Sequence, residues 1–202
     1  MPSVTTPNGP AQLPLQHQIG RRGEASLSQG DLDGLCGLYA AINGLRLLLA
    51  PVRQLKRHES KRLFHTGVTL LIEHDLLPSA VVEGFGDKLW RALVQRLVEE
   101  ASVIADRTIA VHQPLAKLVR PTRSATFAAI EVALAAGQPV LADLSGRHEH
   151  FTVISGYSPY SLFLYDSGRL CWLPRASCSI GRARSRRHHI NPRSLTILSI
   201  QA

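Results

Sequence analysis

The stretch HEHFTVISGYSPYSLFLYDSG, residues 148–168, leaves the chain little freedom. Two runs rich in β-branched and aromatic residues flank a turn of Gly, Ser and Pro, and such a pair reads as an antiparallel hairpin. With a loop from Gly156 to Tyr160, Ser155 pairs with Ser161, and counting outward sets His150 directly opposite Asp166. Facing residues in such a pair have Cβ atoms about 4.5–5.5 Å apart, close enough for an imidazole nitrogen to meet a carboxylate. A slip of one residue sends the two to opposite faces, so the expectation is a demanding one.

An imidazole held by a carboxylate has a fixed tautomer and a free nitrogen that can take a proton. The group it would serve lies in QGDLDGLCGLYAAINGLRLLL, residues 29–49, where Cys36 joins a glycine-rich acidic loop to an apolar helix. Leu38, Ile42, Leu45 and Leu49 recur at three- and four-residue steps, the stripe of a helix that faces a core. Unpaired backbone N–H groups and the helix dipole favour a thiolate at that helix start. Asp31 and Asp33 act in the opposite sense, and we expect them to cap the helix or face solvent.

Each of these residues has a plainer alternative. Cys36 could be a packed core thiol, the commoner fate of a free cysteine; its place at a helix start favours the nucleophile. His148 could share the face of His150, but the β-run that follows His150 favours the latter. Asp166 could simply start the turn at Ser167–Gly168. Trp172 either covers the His–Asp pair or belongs to the core. A tetrahedral oxyanion needs donors, and the backbone N–H of Cys36 and the side-chain amide of Gln29 are the candidates.

Elsewhere, helical patterns span about 60–76, with Leu63, Val68, Leu71 and Ile72 apolar, and Asp87 to Ala101, with Leu89, Leu93 and Leu97 in register. RTIAVH reads as a short strand, SATFAAIEVALAAG as a helix closed by Gly137, and QPVLADLS and SLTILSI as strands. Helices come first and sheet follows, which predicts an α+β fold with two facing lobes or layers. Residues 1–26, rich in Pro, Gln and Gly, read as a disordered or loosely packed arm, and residues 27–202 as one folded domain.

Three cysteines cannot all pair within one chain, which suits free thiols in a reducing compartment. Cys171 and Cys178 lack zinc-like spacing and His188–His189 adds no ligand pattern, so neither metal nor cofactor is expected. LRLLLAPV is too short for a membrane span and is cut by Pro51. The N-terminal residues lack the order of a cleavable secretory signal. The net charge of +8 concentrates in RQLKRHESKR (53–62) and GRARSRRHH (181–189). Without interleaved aromatics or a nucleic-acid motif these read as solvated surface, with an acidic partner as the second option and nucleic acid not expected.

A Gln before a Cys that opens a long helix, then AAGQPVLADL, HFTVISGY and LFLYDSG in that order, resembles the papain-like cysteine peptidases. The resemblance covers about residues 29–45 and 128–168 and is nearest to their compact bacterial branch, which processes double-glycine bacteriocin leaders. It implies a papain-like fold with the nucleophile at a helix N-terminus packed on an antiparallel sheet. It also implies Cys36 as nucleophile, His150 as general base, Asp166 as its orienter and Gln29 as oxyanion donor. Six residues separate Gln29 from Cys36, one more than is usual there, so Asp33 or a backbone amide of Gly30–Gly34 is the alternative at the donor position. The implied activity is hydrolysis of a peptide or isopeptide bond in an extended polypeptide. Glutamine deamidase or transglutaminase chemistry uses the same triad, and a binding protein on this scaffold would leave it idle. A cytoplasmic bacterial location is expected, with export as an effector without a cleavable signal left open.

Overall fold

A computed structural model of the protein describes residues 13–15, 25–30, 33–84, 86–180 and 187–201. Among them the fold is α+β. Its five helices are α1 (Cys36–Leu49), α2 (Arg57–Glu73), α3 (Leu77–Glu83), α4 (Asp87–Ala105) and α5 (Arg123–Ala135). The strands are β1 (Ile109–His112), β2 (Val140–Gly146), β3 (His150–Tyr157) and β4 (Ser161–Leu164), then β5 (Trp172–Pro174), β6 (Cys178–Ile180), β7 (His188–Ile190) and β8 (Thr196–Ile200). They form one sheet in the order β1-β8-β2-β3-β4-β5, antiparallel throughout that path. β7 adds to β2 beyond the end of β8, and β6 pairs with β7 in parallel.

The helix after Cys36 is buried along the expected stripe, with Leu38, Ile42, Leu45 and Leu49 at most 1% exposed. It lies so close to the sheet that a Cβ on Gly44 would collide with the Leu141 side chain. Leu141 pairs with Val153 and Asp143 with Phe151, so these four share one face of the sheet. Trp90 of α4 packs on Phe151 with centroids 4.4 Å apart and the rings tilted by 31°, which puts α1 and α4 on that same face.

In α2 the expected stripe is shifted. Leu63 and Leu71 are buried, but Ile72 is 60% exposed and Leu70 packs inward instead. Gly67 is the reason: a side chain there would strike Leu38, so the bare glycine lets α2 press on α1 along Leu63, Gly67, Leu70 and Leu71. In α4 Leu93 and Leu97 are buried, and Trp90 fills the place expected for the half-buried Leu89. α3, β5, β6 and β7 were not expected; at three to seven residues they are too short for periodicity to register. Trp172 is 56% exposed on β5, so it is not core.

Part of the 1–26 arm, residues 1–12 and 16–24, lies outside the described residues. Within it, Leu15 is buried in the core at 5% exposure and Ser26 is hydrogen-bonded to Asp166. Asp31 and the basic residues of 181–186 also lie outside the described set. No helix among the described residues is long and apolar enough to cross a membrane.

One buried polar side chain fixes the entry to the site. Asn43 of α1, fully buried, accepts from Leu27 N–H at 2.8 Å and donates to the Leu27 carbonyl at 3.2 Å. It thereby satisfies both backbone groups of a segment that has no strand partner there. Asn43→Leu leaves both without a partner and is expected to destabilise the fold by about 2–3 kcal/mol in denaturant unfolding.

Candidate active site

Cys36 is the first residue of α1, at 8% exposure. The loop before it is held in part by backbone contacts. Gly34 N–H donates to the Val81 carbonyl at 2.6 Å, and a Cβ on Gly34 would come within 2.8 Å of the Ala80 carbonyl oxygen and 2.9 Å of that of Val81. α3, a helix the sequence did not reveal, thus backs the loop that carries the thiol. Asp33 does not cap the helix, whose N-cap is Leu35 and which has no side-chain cap; its Oδ1 accepts from Leu35 N–H at 3.1 Å, two residues on, in a turn that leads into α1. The Cys36 amide belongs to the first helical turn, whose N–H groups have no acceptor within the helix.

The hairpin brings His150 and Asp166 together, but not by the register expected. The turn is tighter, with Tyr157 opposite Leu162 and Gly156 opposite Phe163, and a bulge at Ser155 then shifts the ladder so that Ile154 faces Leu164. The tight turn moves the count by an odd number of residues, and the bulge, which adds one residue to one strand, restores the parity. Tyr165 N–H donates to the Val153 carbonyl at 2.9 Å, so in step Asp166 falls opposite Thr152. His150 reaches Asp166 diagonally, on the same face, and its Nε2 donates to Oδ1 at 2.8 Å.

Asp166 is a fully enclosed carboxylate. Its Oδ2 accepts from Gly168 N–H at 2.7 Å and Leu170 N–H at 3.1 Å. Both amides point inward because Arg169 between them adopts a left-handed φ of 66°. Burial alone would raise the Asp166 pKa, but the hydrogen bond and charge of His150 hold it below the usual carboxylate value. For His150, burial disfavours the imidazolium; the hydrogen bonds and negative charges of Asp166 and Cys36 outweigh it and raise the pKa to about 9. With Nε2 on Asp166, Nδ1 is the nitrogen left for the Cys36 thiol. His148 does not join this set: its ring stacks on His188, centroids 5.4 Å apart.

Gln29 ties the two halves of the site. Its backbone N–H donates to the Ser167 carbonyl at 3.2 Å, its Oε1 accepts from Ser167 Oγ at 3.4 Å, and its Nε2 donates to the Asp33 carbonyl. Ser26 Oγ adds a bond to the Asp166 carbonyl at 2.6 Å. The segment from Ser26 to Gln29 therefore clamps the Asp166 loop to the Cys36 loop. Among the described residues the Asp33 carbonyl is the acceptor of the Gln29 amide, which carries two hydrogens. Sequence reasoning missed Ser26; it named Gly34 only within the Gly30–Gly34 alternative for the oxyanion donor and Ser167–Gly168 only as a turn, not as partners that fix the Cys36 and Asp166 loops.

Cys171 is exposed and Cys178 buried. Among the described residues no group of three or more His, Cys, Asp or Glu side chains is arranged to hold a metal ion. No protein-family model matches the chain, and no curated protein matches it in sequence.

The three thiols provide an internal control. Iodoacetamide near neutral pH, read by peptide mass spectrometry, is expected to label Cys36 faster than the exposed Cys171. An unassisted thiol is only a few per cent thiolate there, so His150→Ala should slow labelling of Cys36 by about tenfold and leave Cys171 unchanged. Gly34→Ala, which must push on the α3 carbonyls, should slow it too.

Proposed function

We propose that the protein is a papain-like cysteine peptidase that hydrolyses a peptide or isopeptide bond through Cys36, His150 and Asp166. The observation that carries the reading is the His150 ring, bonded through Nε2 to a buried carboxylate, with the Cys36 thiol at a helix start near enough to help raise its pKa. Neither partner of that ring is explained by stability alone, since a charged pair enclosed in protein is costly to assemble.

The steps follow from the geometry. Cys36 Sγ attacks the carbonyl carbon, and the tetrahedral oxyanion is received by the Cys36 N–H and the second hydrogen of Gln29 Nε2. His150, protonated at neutral pH, donates its Nδ1 proton to the leaving amine, and a thioester on Cys36 remains. Neutral His150 then takes a proton from water, whose oxygen attacks the thioester; the thiolate leaves and regains the ion pair with the imidazolium. Asp166 keeps the ring oriented and stabilises its cation throughout. A cytoplasmic bacterial setting belongs to the same reading.

The pH dependence has a definite sign. The His150 pKa is raised from 6.5 to about 9, so the imidazolium is present at neutrality and is lost as pH rises through 9. Peptidase activity should fall across that range, and the fold should lose the contribution of the His150–Asp166 pair between pH 6.5 and 9. In Asp166→Asn the alkaline limb should move to lower pH.

The decisive assay is mass spectrometry of new termini in a denatured proteome, wild type against Cys36→Ala. Termini that appear only with the wild type support the reading. Glutamine residues converted to glutamate without new termini would replace it by deamidation, and no difference between the two proteins would refute it.

A further inference from the structure

The basic run Arg53–Arg62 divides into two sets. Arg53 is paired with Glu59 and donates to the Ile104 carbonyl, and Arg62 is paired with Glu100. Those two arginines hold α2 in place. Arg57 and Lys61, exposed on the same helix, stand at the rim of a cavity of about 380 Å³. Its walls are apolar: Leu27, Tyr39, Leu55 and Phe64, the two rings 5.6 Å apart. No described acidic residue contributes to the lining.

Neither Cys36 nor His150 lines this cavity, yet two of its lining residues adjoin the site in the chain. Tyr39 is one helical turn beyond Cys36, about 5 Å along the axis, and Ser28 immediately precedes Gln29. We infer that the cavity is a subsite for an acidic polypeptide segment: a carboxylate meets Arg57 and Lys61 while neighbouring apolar atoms pack on Tyr39, Leu55 and Phe64. Burial and the nearby Asp33 charge raise the Tyr39 pKa, so its hydroxyl stays protonated and can donate to that carboxylate. An extended chain advances about 3.3 Å per residue. An acidic side chain seated beside Tyr39 therefore lies about one or two residues from a carbonyl at Cys36. This assignment names a substrate class for the proposed peptidase and rests on that reading for its catalytic meaning, though not for binding.

The test uses the full chain carrying Cys36→Ala and three short peptides in which Leu alternates with Glu, Gln or Lys. Titration calorimetry should show the Glu peptide binding best, less tightly as salt rises. Arg57→Glu/Lys61→Glu should weaken it by about tenfold or more, while Lys117→Glu/Arg120→Glu, an equal change in charge at exposed positions between β1 and α5, should alter it by less than about twofold. Circular dichroism checks that each variant is folded. Equal losses in both variants, equal binding of the Gln peptide, or displacement of the Glu peptide by single-stranded RNA at lower concentration would overturn the subsite. Iodoacetamide labelling of Cys36 in the parent protein separates the two readings. Fast labelling without Glu-peptide binding removes the subsite alone, and selective binding without fast labelling removes the peptidase alone.

Discussion

A carboxylate with no exposed surface needs donors on both of its oxygens, and Asp166 has three. The Gly168 and Leu170 amides take one oxygen, and His150 takes the other. Because those partners satisfy the charge without solvent, the imidazolium opposite it is the favoured state of His150 at neutral pH. Everything proposed for Cys36 follows from that ring being both charged and held still.

The fold reads as a means of holding two short loops against each other. One precedes α1 and carries Cys36; the other follows β4 and carries Asp166. The segment Ser26–Gln29 lies between them, bonded to Asp166 and Ser167 on one side and to Asp33 on the other, and Asn43 anchors it from within the core. Gly34 wedges the first loop against the end of α3, with backbone atoms on both sides that cannot rearrange cheaply. For the proposed chemistry such rigidity matters, since displacement of about 1 Å at reacting groups costs about 100-fold in rate.

Much of this was legible in the sequence because it is local. The α1 stripe, the start of that helix at Cys36, and the two β-rich runs of the hairpin each depend on residues a few positions apart. The His150–Asp166 contact was foreseen through a five-residue loop that does not exist; the tighter turn and the Ser155 bulge shift the count by two, and an even shift preserves the face. The parity mattered and the register did not. What stayed hidden is non-local: α3 behind Gly34, Ser26 on Asp166, and the split of one basic run into arginines paired with Glu59 and Glu100 and side chains left at a cavity rim. A charge run in a sequence carries no record of which members meet acids from distant helices.

The central claim is that His150 is an imidazolium at neutral pH because Asp166 and Cys36 hold it so. Carbon-detected or heteronuclear NMR of the histidine rings, titrated in the wild type and in Asp166→Asn, measures this directly. The account requires a His150 midpoint near 9 in the wild type and a clearly lower one in the variant. A wild-type midpoint near 6.5, unmoved by the substitution, would contradict it.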